Sequence, residues 1–256
     1  EQSLCQLAPD KSVGSIITPM KGVSAAIAQS KEERKTSKKA PIFAPAGQST
    51  QMIVGASPET DRQIMNVSSW LYRKMSLRRV YYSAYIPVNE SRLTNPSMVK
   101  PPLLREHRLY QADWLLRIYG FGLEEIFDDR YPNLDYSMDP KTSWALRNFG
   151  LFPVDIAKAD YEMILRIPGI GVRSAQRIVA LRRQKNLVMD DLKEIGVTLK
   201  RAQHFLTVAG FFPPAKFSSP DRLVSLVAAP KADSIQLDLF DQPTSPALVE
   251  AQTGEF

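Results

Sequence analysis

The stretch Met163-Ile164-Leu165-Arg166-Ile167-Pro168-Gly169-Ile170-Gly171-Val172-Arg173-Ser174-Ala175-Gln176-Arg177-Ile178-Val179 constrains this chain more than any other. Two segments of helical apolar spacing flank a four-residue turn, Pro168 to Gly171, and that pattern predicts two short helices folded against each other. Leu165, Ile167, Ile170, Ala175, Ile178 and Val179 fall where the helices would face, and Ala175 is small enough for close approach. Gly169 and Gly171 permit backbone conformations closed to other residues and leave the turn amides unshielded. Those amides, with the N-terminus of the second helix, make a site for one phosphate oxygen. Arg173 and Arg177 sit on the first turns of that helix, within reach of neighbouring phosphates, and Ser174 can donate its hydroxyl or serve as a cap.

A degenerate second copy follows. Leu192-Lys193-Glu194-Ile195-Gly196-Val197 precedes Leu199-Lys200-Arg201-Ala202-Gln203-His204-Phe205-Leu206, echoing Ile-Gly-Val and Arg-x-Ala-Gln. It lacks the Pro-Gly-x-Gly turn, so it reads equally as a structural partner or as a second contact through Lys200 and Arg201. Residues 151–214 are therefore expected to form a tandem helix-hairpin-helix domain that holds the backbone of a DNA duplex. None of these groups reads a base edge, so binding should not depend on sequence.

Thirty-three Lys and Arg against twenty-seven Asp and Glu give a net charge of +6, which favours anionic partners. Cys5 is the only cysteine, which excludes a disulfide framework, a zinc site built on cysteines and a cysteine cage for an iron-sulfur cluster within these 256 residues. His107 and His204 lack ligand neighbours at metal spacing and read as surface or half-buried helix residues; no metal site is expected. No apolar run reaches the roughly 18 residues that a membrane span needs, and the first residues lack a basic-then-apolar signal. A cytoplasmic protein without a membrane partner is expected. Opening at Glu1 in a segment that reads as the middle of a structure, the chain is expected to be the C-terminal portion of something longer.

Residues 29–41 are charged and lack apolar periodicity, so they read as a solvated loop. Thr50 to Val54 reads as a strand, Ser57 as the cap and Pro58 as the first turn of a helix carrying Ile64, Val67, Leu71 and Met75, and Val80 to Ile86 as a second strand. This is a βαβ unit, with ligands expected at the strand ends near Gly55 to Ser57 and Pro87 to Asn89. Residues 103–150 form a helical connector, whose first helix places Leu104, Ala112, Leu115, Leu116 and Tyr119 on one face and leaves Arg105, Arg108 and Arg117 to solvent. Residues 215–256 are polar and aperiodic, the composition of a disordered tail. Within it, Gln236-Leu237-Asp238-Leu239-Phe240 resembles the peptide by which bacterial DNA-processing proteins hold the sliding clamp, with Leu239 and Phe240 for an apolar pocket and Gln236 for its rim.

From Leu7 to Pro214 the chain resembles the C-terminal part of the DNA modification/repair radical S-adenosylmethionine proteins. The resemblance rests on Phe43 to Ala56, Val80 to Val88, Arg105 to Leu115, Trp144 to Arg147 and Phe152 to Ile156. It implies an α/β fold in which residues 1–102 end a partial β/α barrel, followed by the all-helical hairpin domain. It also implies S-adenosylmethionine and a four-iron cluster for the full-length family, with a uracil-DNA-glycosylase-like protein as a partner by association. The family's cysteine triplet is missing here, so this chain alone is expected to hold neither group. Of the family's strand-five pattern, Gly-x-Ile-x-Gly-x-x-Glu, Ile53 and Gly55 fit, while Gln51 replaces the first glycine and the acid falls one place late at Glu59. Only Gly55, and Ser83 on the next strand, are carried over as cofactor-binding residues, with a tight turn as the equal alternative at Gly55.

Two other functions compete. One is a non-catalytic module that binds DNA and tethers it to the clamp. The other is a DNA glycosylase, with Arg173 and Asp191 at the spacing that class uses. Arginine cannot form the Schiff base, and Asp190 and Asp191 read more simply as caps for a helix starting near Leu192.

Overall fold

A computed structural model describes residues 8–86, 102–208 and 210. Over the described residues the fold is mixed α/β, mostly helical, with two small parallel sheets. It divides into a unit ending at Glu106 and a unit beginning at His107, a boundary that falls inside one helix, Leu103–Arg117. The strand end at Pro87 to Asn89, the tail and the peptide Gln236 to Phe240 lie outside the described residues.

In the first unit, α1 (Val13–Thr36) leads to β1 (Ser49–Val54), α2 (Asp61–Met75) and β2 (Arg79–Ala84). The strands pair in parallel, Thr50 opposite Val80 and Met52 opposite Tyr82, as a βαβ unit requires. Val54, Val80 and Tyr82 are buried on one face, while Gln51, Ile53 and Tyr81 face outward. The Tyr82 hydroxyl donates to Ser68 Oγ of α2 at 2.9 Å, which satisfies a polar tip that burial would otherwise penalise. Among the described residues no third strand joins this sheet.

Three local expectations are corrected. Residues 29–36 are helical and not loop: a Ser12–Ser15 capping box starts α1, and Lys, Glu and Arg are strong helix formers that need no apolar face. Pairs such as Gln29 with Glu33 and Lys35 with Glu32 run along that segment. The cap of α2 is Thr60, boxed with Gln63, and not Ser57; Val67 is 50 % exposed, the buried face being carried by Ile64, Met65, Ser68, Leu71 and Met75.

The third correction concerns α3 (Leu103–Arg117), whose arginines are not solvated. Arg105 is buried, its Nε 2.6 Å from the fully buried Asp61, with a second bond to the Glu59 carbonyl. Arg108 is buried against Gln111 and the Tyr136 carbonyl, and Arg117 pairs with buried Asp113 at 2.5 Å. An acceptor supplied within the fold makes each burial tolerable. His107 is half-buried on this helix, and burial lowers its pKa.

The second unit continues through α4 (Leu123–Ile126), α5 (Pro140–Arg147), β3 (Val154–Asp155), α6 (Tyr161–Arg166), α7 (Val172–Leu181), α8 (Met189–Ile195), α9 (Leu199–Ala202) and β4 (Leu206–Thr207). Parallel pairing of β3 with β4 ties the start of the helical hairpins to their end. A chain of edge-to-face rings, Phe121, Trp144, Phe152 and Phe205 with centroids 5.2 to 6.2 Å apart, joins the connector to the hairpins. Among the described residues no helix is long and apolar enough to cross a membrane.

Candidate nucleic-acid interface

Asp160 caps α6 by accepting the Met163 amide at 2.7 Å, and the helix stops at Ile167 because Pro168 cannot continue it. The turn folds back through the Ile170 amide, which donates to the Ile167 carbonyl at 3.2 Å. Ile164, Leu165, Ile167, Ile170, Ala175 and Ile178 are all buried, and Val179 is half-buried. The apolar frame read from the sequence is therefore the packed interior of this hairpin. Burial of each of the Ile and Leu side chains contributes about 1.5–3 kcal/mol.

Gly169 has φ +83°, a conformation other residues rarely adopt. It has a second reason to be glycine. A Cβ there would sit 2.7 Å from the Thr198 carbonyl oxygen and 3.1 Å from the Ala202 nitrogen. The Thr198 amide donates to the Gly169 carbonyl at 2.9 Å, so the two hairpin turns pack directly on each other. Gly171 differs: its φ of −86° is open to any residue, so conformation does not require glycine there. Pro168, Gly169, Ile170 and Gly171 are all buried.

Gly171 is the N-cap of α7 and brings no side-chain acceptor. Among the described residues the amides of Gly171, Val172 and Arg173 meet no acceptor. These are orphan donors of a helix N-terminus, with the positive end of the helix dipole behind them. Arg173 is exposed and makes no hydrogen bond or ion pair among the described residues. Lys200, at the start of α9 two residues beyond Thr198, is exposed as well.

Other expected contacts are placed differently. Ser174 is buried and its hydroxyl donates to the Gly196 carbonyl at 3.4 Å, so its proton serves the second hairpin. Arg177 is exposed, with Nη1 donating to the Ile195 carbonyl at 3.0 Å. Arg201 lies 3.7 Å from buried Asp139. Asp191 is on the first turn of α8 and accepts the Val188 amide at 2.9 Å and the Lys185 ammonium at 2.6 Å, bonds that hold its carboxyl below the ordinary range. The helix begins at Met189 with Val188 at its N-cap, so Asp190 and Asp191 lie in its first turn and not ahead of a start near Leu192. His204 is half-buried and burial lowers its pKa. In the first unit, Gly55 has φ +89° at the exit of β1, the tight turn that is its structural explanation. Ser83 Oγ accepts from Gln51 Nε2 at 2.5 Å across the strand pair.

Residue spacing gave no sign of a polar layer beneath the hairpin. Arg166 donates from Nη2 to Glu125 Oε1 and Oε2 at 2.9 and 3.0 Å and from Nε to Oε1 at 3.1 Å, and lies over the Phe121 and Trp144 rings. Asp139 caps α5 by accepting the Thr142 amide at 2.9 Å, and Lys141, two residues on, is fully buried. Among the described residues no cluster of His, Cys, Asp and Glu could hold a metal ion. No family model matches the chain, and neither a curated protein nor a solved structure matches it.

Proposed function

We propose that the second unit is a tandem helix-hairpin-helix that binds the phosphate backbone of duplex DNA without reading its sequence. What carries the reading is the N-terminus of α7, where the amides of Gly171, Val172 and Arg173 meet no acceptor beside an exposed Arg173. Backbone donors at a helix N-terminus suit a phosphate oxygen, and a guanidinium adds a charge-assisted contact to its neighbour. Lys200, from the hairpin packed on this turn, supplies a second cation suited to the opposite strand. The net charge of +6 has the matching sign.

From the resembling segments we further propose that the chain is the C-terminal portion of a DNA modification/repair radical S-adenosylmethionine protein acting in the cytoplasm, with β1 and β2 of the first unit as its last barrel strands. One cysteine cannot supply three thiolates, so the residues present do not fit an iron-sulfur cluster and no catalytic step is assigned to them. Gln236 to Phe240 would tether the protein to a sliding clamp.

The test is fluorescence-anisotropy titration of a labelled duplex of arbitrary sequence across a salt series. The wild type, Arg173→Ala and Lys200→Ala should all fold, since both side chains are exposed. Each variant should bind several-fold more weakly and lose about 0.9 from the slope of log K against log salt. Wild-type affinity that is absent or indifferent to salt would sink the proposal, as would variants that bind like the wild type.

A further inference from the structure

Lys141 is fully buried on the first turn of α5, where its Nζ donates to the Ile170 carbonyl at 2.5 Å and lies 4.8 Å from the centre of the Tyr119 ring. Asp139, at the start of the same helix, spends its carboxylate on the Thr142 amide and hydroxyl and lies 3.7 Å from Arg201 of α9. The ammonium therefore gives up water for one carbonyl and one ring face, a poor exchange for a charge. Burial pulls its pKa down to about 7, with the Asp139 charge opposing the shift.

The carbonyl it holds is half of a peptide group whose other half is the Gly171 amide. In a trans peptide the C=O and N–H point in opposite directions, so a donor on one fixes the direction of the other and polarises it. Lys141 thus stands behind the first of the α7 amides that lack an acceptor. An anion on that amide would lie about 8 Å from Nζ, one hydrogen bond on each side of a single peptide group.

Resting on the phosphate reading above, we propose that Lys141 is a positioning residue for that phosphate: it aims the Ile170–Gly171 peptide and supplies a buried counter-charge, so that filling the site draws a proton onto its amine. The neighbours facing it are Tyr119 after α3, Asp139 and Thr142 of α5, Ile170 of the turn and, through Asp139, Arg201 of α9. A phosphate charge at that separation raises the amine's pKa by on the order of one unit. The sign follows. Well below pH 7 the amine is charged in the free and bound states alike, and affinity is flat. Above pH 7 the free protein must take up a proton to bind, and affinity falls by about tenfold in all before levelling. His107 and His204, with lowered pKa values, titrate below this window.

The experiment measures duplex affinity of the full chain from pH 6 to pH 9 at fixed ionic strength, for wild type, Lys141→Met and Arg173→Ala. Wild-type Kd should rise about tenfold over the range; Lys141→Met should give a flat profile, and Arg173→Ala weaker binding with the wild-type pH slope. Carbon NMR of lysine Cε in the wild type follows the amine directly and requires no folded variant. Its midpoint should move upward when the duplex is added. A flat wild-type profile with Arg173-dependent binding intact, or a Cε midpoint unmoved by duplex, overturns the role of Lys141 and leaves the phosphate reading standing. A wild type that binds no duplex at any pH overturns both.

Discussion

Replacing Gly169 by alanine tests whether the two hairpins form one body. The residue sits at φ +83°, and a Cβ would stand 2.7 Å from a backbone oxygen, Thr198, that cannot swing aside as a side-chain tip would. The left-handed conformation costs a non-glycine residue about 1–2 kcal/mol, and forcing packed elements apart adds about 1–3 kcal/mol. Gly196→Ala separates the two terms, because Gly196 has φ +95° and open space where its Cβ would go. The expected losses are about 2–5 kcal/mol for Gly169→Ala and about 1–2 kcal/mol for Gly196→Ala. In a cooperative unit of roughly 100 residues each kcal/mol is about 4–8 °C of Tm, so thermal unfolding followed by circular dichroism resolves them. Equal melting temperatures for the two variants would refute the packing of turn on turn. The same geometry forbids using Gly169 to probe DNA binding, since lost affinity there would report lost structure.

Arg105→Met should destabilise the first unit by about 3–5 kcal/mol, because it takes the guanidinium away from an Asp61 carboxylate that has no exposure; urea unfolding of the variant beside an Arg105→Met, Asp61→Leu double variant checks this, the double being the milder. The depressed pKa of Asp191 means that its bonds to Lys185 and Val188 stabilise the fold above the ordinary carboxylate range and lose that effect as pH falls through the lowered value. The Tm difference between wild type and Asp191→Asn should accordingly be present at pH 7 and close as the pH is lowered below about 4, a span that thermal scans in acetate and glycine buffers cover.

Elements whose signal is local were legible in the sequence. The β1–α2–β2 unit announced itself by β-branched runs around a helical period, and the first hairpin by Pro168 and Gly169 between apolar segments. Signals that depend on a distant partner were not legible. Arg105 reads as a surface charge until Asp61, 44 residues away, is folded beside it, and Lys141 until the Ile170 carbonyl arrives from 29 residues on. Ser174 reads as a free hydroxyl donor or a cap because its acceptor, the Gly196 carbonyl, comes from the second hairpin. Residues 29–36 failed for the opposite reason: a cap and good helix formers suffice for a helix, and a search for apolar periodicity passes over one held by surface pairs.

The distribution of charge at helix starts sets α7, like the short α9, apart from α4, α6 and α8. α4 opens with Glu124 and Glu125, α6 is capped by Asp160 and carries Glu162, and α8 carries Asp190 and Asp191 in its first turn. Each places negative charge against the positive end of the helix dipole, worth about 0.3–1 kcal/mol at an exposed site. α7 has no acidic residue in its first turn and no side-chain cap, and it places Arg173 at its second position, where the dipole disfavours a cation. For stability alone, an acidic residue at position 173 would be the better choice. The arrangement loses its cost once an anion sits on the amides of Gly171 to Arg173, because dipole, guanidinium and buried Lys141 ammonium then all face one negative charge. On the phosphate-binding proposal, a helix start that is unfavourable in the free chain becomes favourable around the anion.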